Sequence, residues 1–132
     1  YNKHNVYVLN NKNENAATFN ESVLYTSQNK NKKTLVIGWW QISRRYDFDD
    51  LSWLYDIEFE IIKNIDKVIV AGPQRFDIAV RLKYAGIDEK KIKIYKDLYE
   101  AKDEILKSKT DLYAILNFDY IKPFNDIMEG QK

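Results

Sequence analysis

Apolar residues along the chain gather into short runs separated by mixed segments of helical period. The runs are Val6-Tyr7-Val8-Leu9, Thr34-Leu35-Val36-Ile37-Gly38-Trp39-Trp40, Val68-Ile69-Val70, KIKIY over Lys91–Tyr95 and LYAIL over Leu112–Leu116. Val68–Val70 is β-branched throughout and offers no polar face, which suits a strand buried on both sides of a parallel sheet. Between the runs, Ile78, Ala79, Leu82 and Ala85 fall at i, i+1, i+4 and i+7 and predict a sheet-docking helix over Gln74–Ala85. Gly72-Pro73 is expected to open that helix, with Pro in its first turn, and Gly86 to end it in the left-handed conformation. Asp77 precedes Arg81 by one helical turn, the favourable order for an acid–base pair on the outer face.

Three further helices follow from the same pattern. One runs from Ala16 to about Gln28 with Phe19, Val23 and Leu24 on its apolar side. Another covers Leu98–Lys107, and the last covers Phe118–Met128, where Pro123 is expected to bend or break it. Phe59–Asn64 has room for a short helix. Strands alternating with helices at this spacing predict an α/β fold, a three-layer sandwich around a mainly parallel sheet.

One stretch has no clean period. Gln41–Glu60 follows the second strand and reads as a loop region, and loops at strand carboxyl ends are where open α/β sheets bind ligands. It carries Asp47, Asp49, Asp50 and Asp56 beside Arg44, Arg45, Tyr46, Phe48 and Trp53. The carboxylates could hold a hydrated cation, orient a histidine or position an amine. Equally, they could form a solvated loop with one Asp capping the turn that follows. Arg44-Arg45 could take a phosphate or carboxylate, or pair with the neighbouring acids. Trp39, Trp40 and Trp53 could form a recognition surface or serve as core.

Composition narrows the chemistry. A chain of 132 residues with 45% hydrophobic and 31% charged positions is expected to form a single globular domain over 1–132. A formal charge of +1 gives no electrostatic case for nucleic acid or an anionic membrane as partner. No apolar run approaches a transmembrane segment, and no signal-peptide pattern is present. With no Cys, disulfides, thiolate metal sites and Cys nucleophiles are excluded within the chain, and a cytoplasmic setting is favoured. His4 is the only histidine and has no nucleophile beside it, so a self-contained triad is not expected. Gly72-Pro73-Gln74-Arg75 lacks the glycines and the Gly-Lys-Ser/Thr of phosphate-binding loops. Because the chain opens on Tyr1, it is expected to be a fragment of a longer protein.

Three blocks carry a resemblance. Asp50-Leu51-Ser52-Trp53-Leu54-Tyr55-Asp56-Ile57-Glu58-Phe59-Glu60 resembles the Asp-x-Ser-Trp-x-x-Asp-x-x-Phe-Glu segment of the C-terminal domain of MurT proteins. Ala71-Gly72 through Asp77 and Arg81-Leu82-Lys83-Tyr84-Ala85-Gly86 is similar to a second segment of that family, and Asn15-Ala16-Ala17-Thr18-Phe19-Asn20 to a third. The chain departs from the family pattern at Ile42, Arg44, Tyr46 and Phe48, at Ala16 and Thr18, at Gln74, and over Leu116–Tyr120.

The resemblance implies a Rossmann-like domain of the Mur ligase C-terminal type. MurT proteins are the Mur-ligase-like subunit of lipid II isoglutaminyl synthase, in which a GatD-type glutaminase releases ammonia. The ligase subunit then amidates D-glutamate of the peptidoglycan stem. ATP and Mg would be bound mainly outside this domain, by an ATP-binding Mur central domain of the same chain. The domain alone is expected to hold no cofactor or metal and to be inactive. By the same resemblance Asp50 is the catalytic candidate, completing the partner's Cys-His pair from the carboxyl edge of the sheet. Asp47, Ser52, Trp53, Asp56 and Arg81 are candidate substrate or partner contacts. Ser52 would satisfy loop backbone groups and Trp53 would anchor the loop. The alternative is a docking or regulatory domain of the same fold whose catalytic residues have drifted.

Overall fold

The computed structural model describes residues 5–11, 16–38 and 56–130. Its strands are β1 (Val6–Asn11), β2 (Lys33–Gly38), β3 (Ile65–Ala71), β4 (Ile92–Tyr95) and β5 (Asp111–Asn117). Its helices are α1 (Ala16–Ser27), α2 (Arg75–Tyr84), α3 (Lys102–Leu106) and α4 (Phe118–Glu129). The strands form one sheet in the order β1-β5-β2-β3-β4, and every neighbouring pair is parallel. In register, Leu35 of β2 stands between Tyr113 of β5 and Val68 of β3. Val68–Val70 is therefore on an interior strand, as its lack of a polar face requires.

Alternate side chains of each strand feed two cores. On one face Leu35, Ile37, Val68, Val70, Tyr113 and Ile115 pack with Phe19 and Val23 of α1 and with Ile78 and Leu82 of α2. On the other, Val36, Ile69, Ala71, Ala114 and Leu116 pack with Ile105 of α3 and with Tyr120, Phe124 and Ile127 of α4. A parallel sheet covered by helices on both faces is the predicted three-layer α/β sandwich, and it is Rossmann-like.

Local details differ from the sequence expectation. In α1, Leu24 is exposed and Thr26 is buried in its place. The buried stripe runs Phe19, Val23, Thr26, and the Thr26 hydroxyl is satisfied by the Ser22 carbonyl at 2.8 Å. Pro73 lies in a turn before α2, closed by the Arg75 amide on the Gly72 carbonyl at 3.1 Å. Its fixed φ suits the second position of such a turn as well as a helix start. Phe59–Ile61 is a single 3₁₀ turn, and Asn64, at φ 58°, ends any helical continuation before β3. The expected Leu98–Lys107 helix is shortened to α3, preceded by a turn in which the Ala101 amide reaches the Leu98 carbonyl.

Pro123 neither ends nor interrupts α4, which continues through it to Glu129. Proline inside a helix costs about 3 kcal/mol. Tyr120, Phe124 and Ile127, at i, i+4 and i+7, are all buried on the sheet, and each large apolar side chain so placed contributes roughly 1.5–3 kcal/mol. Burial wins.

Candidate functional site

The strand carboxyl ends, at Asn11, Asn117, Gly38, Ala71 and Tyr95, lie along one edge of the sheet. The end of the β2–β3 connection buries Ile57 and Phe59 in the core under α1 and α2, whereas α4 packs on the other face. The carboxyl edge is the usual ligand position in open α/β sheets.

Residues 56–60 finish that connection and alternate strictly. Asp56, Glu58 and Glu60 are exposed, while Ile57 and Phe59 are buried. Two side chains grip the backbone of this segment. Asn20, on α1, donates from Nδ2 to the Asp56 carbonyl at 2.9 Å and accepts at Oδ1 from the Glu58 amide at 2.7 Å. Arg81, on α2, donates to the Ile57 carbonyl and, at 2.9 Å, to Glu60 Oε1. Its guanidinium also stands 5.6 Å from the centre of the Phe59 ring. The Arg81 hydrogen bond holds the Glu60 carboxyl below the usual glutamate range, against a weaker opposing effect of burial.

Arg81 is 3% exposed. The acid it meets is Glu60 rather than Asp77 of its own helix, so the expected outer-face pair does not form. The reason is angular: Ile78, Arg81 and Ala85 share the inward stripe at i, i+3 and i+7. Asp56 is exposed, and its backbone carbonyl is what Asn20 holds. Asp47, Asp50, Ser52 and Trp53 lie outside the described residues, as do Trp39, Trp40, Arg44 and Arg45. Asn20 and Glu60 carried no assigned role in the sequence. The bonds from Asn20 on α1 and Arg81 on α2 to the 56–60 segment join residues from all three of the blocks quoted above.

At the carboxyl edge, the turn after β3 places Gly72 at φ 108° and Gln74 at the start of α2. Gln74 is buried, and its side chain does not cap the helix. Among the described residues no group of three or more His, Asp or Glu side chains is placed to hold a metal ion. No described helix is long and apolar enough to cross a membrane.

The family model for the MurT ligase C-terminal domain matches residues 13–120. The chain belongs to the MurT ligase C-terminal family. That span runs from just before α1 into the first turn of α4, and it contains the acidic stretch together with Asn20, Asp56–Glu60 and Arg81. No curated protein matches the chain.

Proposed function

We propose that residues 1–132 are the C-terminal domain of a longer, cytoplasmic MurT-type amide ligase subunit. With a GatD-type glutaminase it amidates D-glutamate of the lipid II stem peptide, using ATP. The observation that carries this reading is the family match over residues 13–120, which spans the Asp50–Glu60 block whose end is clamped by Asn20 and Arg81. In this reading Asp50 supplies a carboxylate to the far nitrogen of the partner's catalytic histidine, fixing its tautomer and stabilising the imidazolium. Asp47, Ser52, Trp53 and Asp56 contribute to the partner or substrate contact around it. Arg81 acts from beneath, through the backbone it holds.

The described residues do not fit Mg-ATP. The Gly72–Arg75 turn has one glycine and a proline where a phosphate cradle needs successive free amides, and among the described residues no group of three or more carboxylates is placed to hold a metal. In this reading the nucleotide is held by another domain of the ligase.

The test is the full ligase chain, assembled with its glutaminase and given glutamine, Mg-ATP and lipid II. Amidated lipid II is expected from the wild-type complex. Asp50→Asn is expected to lower glutamine hydrolysis well beyond tenfold with assembly unchanged; the comparable change in a serine-protease triad costs about four orders of magnitude. A complex that forms but neither hydrolyses glutamine nor amidates lipid II would overturn the enzymatic reading in favour of a docking domain.

A further inference from the structure

Helix α2 is apolar on two sides. Ile78, Ala79 and Leu82 are buried against the sheet. The exposed positions of the helix are Phe76, Asp77, Val80, Lys83 and Tyr84. Of these, Phe76, Val80 and Tyr84 fall at i, i+4 and i+8 and form a second stripe, 59%, 45% and 73% exposed. An outer helix of a layered fold normally turns charge to water, and one that is apolar on both sides is normally covered on both. Exposed apolar surface rimmed by polar residues, here Asp77 and Lys83, marks an interaction site.

The spacing within the stripe points to its occupant. Phe76 and Tyr84 lie one turn to either side of Val80, and Asp77 and Lys83 lie just inside them. Helical geometry puts Asp77 on the same margin as Tyr84, and Lys83 on the same margin as Phe76. A two-fold axis at Val80 that sets two such helices antiparallel brings each Tyr84 hydroxyl to the Asp77 carboxylate of the other copy. It also brings Phe76, with the Arg75 guanidinium 4.6 Å from its ring centre, to the Lys83–Glu89 ion pair of the other copy. That pair, 3.2 Å apart and exposed, then offers its carboxylate to the guanidinium. A parallel pairing would instead set Asp77 against the Phe76 ring, whose face is negative. The face is thus self-complementary in one orientation, as a two-fold contact requires.

We propose that the outer face of α2 is a self-association surface through which two copies of the chain pair antiparallel about Val80. One helix face buries less than a standard interface, so the pairing is weak and depends on concentration.

The experiment is sedimentation of the full chain that carries this domain, alone and at rising concentration. A monomer–dimer equilibrium is expected. Val80→Glu sets two carboxylates together on the axis and is expected to raise the dissociation constant roughly tenfold or more, with the melting temperature unchanged. Val80→Cys tests the geometry, because a residue on a two-fold axis stands within disulfide reach of its own copy. Mild oxidation of that variant is expected to give cross-linked dimer beyond any seen with the parent chain. A dimer that Val80→Glu leaves intact would overturn the inference, and a dimer that Val80→Cys fails to cross-link would overturn the antiparallel pairing. A chain that stays monomeric would overturn it too. If, in that case, Val80→Glu weakens binding of an added glutaminase, a partner protein covers the stripe in place of a second copy.

Discussion

A Cβ placed on Gly38 would lie 2.5 Å from Cδ2 of Tyr120. Gly38 ends β2 at the carboxyl edge of the sheet, and Tyr120, in the first turn of α4, closes over it. The same Cβ would stand 3.2 Å from Cδ2 of Leu116, so a second side chain crowds it as well. Gly38→Ala is therefore expected to destabilise the domain by about 1–3 kcal/mol through overpacking. Urea unfolding measures it. In a Tyr120→Leu background the same substitution should cost distinctly less, and equal costs in both backgrounds would dismiss the ring as the cause.

Gly86 is needed for the opposite reason. Nothing lies within 4 Å of where its Cβ would be, but its φ is 93°. It follows α2 in a paired closure: the Gly86 amide reaches the Lys83 carbonyl at 3.0 Å, and the Ile87 amide reaches the Leu82 carbonyl at 3.2 Å. Leu82 and Ile87 pack in the same core, which locks the exit of the chain towards β4. Gly86→Ala is expected to cost about 1–2 kcal/mol from backbone conformation alone. Asn, which tolerates the left-handed region, should cost less than Ala by thermal unfolding. An Ala variant as stable as wild type would mean that the turn relaxes.

What could be read from the sequence follows from how local each determinant is. The interior strands are legible because a residue run buried on both faces must be apolar throughout, as Val68–Val70 and Leu112–Leu116 are. The stripe of α2 is legible because Ile78, Leu82 and Ala85 repeat at helical spacing. Arg81 shares that stripe, yet a cation reads as surface until its partners are known, and Glu60 is 21 positions away. The partners of Asn20 are 36 and 38 positions away, so no local rule marks it. Pro123 misleads for a related reason, since its local cost is outweighed by burial that only the tertiary structure supplies.

Acid should weaken the face that carries α3 through Glu104. Burial raises its pKa, but the Lys67 ammonium, 2.5 Å from Oε2, outweighs this together with Lys107 and the Tyr95 hydroxyl and holds it below 4.5. A depressed carboxyl pKa stabilises the fold above the unfolded value, and that contribution is lost as pH falls through the folded one. The loss should therefore begin below about pH 4.5. Glu104→Gln should be less stable than wild type at neutral pH and should converge with it in acid. Unfolding free energies taken from pH 7 down to pH 3 check this, and a gap that stays constant would remove Glu104 from the acid response.

Lys33 should act at the other end of the pH scale. It opens β2 with its side chain fully buried, and its ammonium donates to the Lys63 carbonyl. Its backbone amide reaches the Asn64 carbonyl at 3.0 Å, so both bonds tie the start of β2 to the turn before β3. Burial, helped by the nearby Lys30 charge, lowers its pKa from 10.5. Between that lowered value and 10.5 the unfolded chain binds the proton more tightly than the folded one, so the share of stability owed to Lys33 rises with pH across this window. Below the window it is a constant penalty, offset by a hydrogen bond of about 1 kcal/mol. Lys33→Met keeps the apolar stem and removes both. It is expected to match or exceed wild-type stability at pH 7 and to lose that advantage as pH approaches 10.5. Tyr95 and Tyr113, whose pKa values burial raises, are present in both proteins, so the difference between the two unfolding curves isolates the lysine. A difference that does not change with pH would mean that Lys33 is equally protonated in the folded and unfolded chains, and burial would then carry no electrostatic cost at this position.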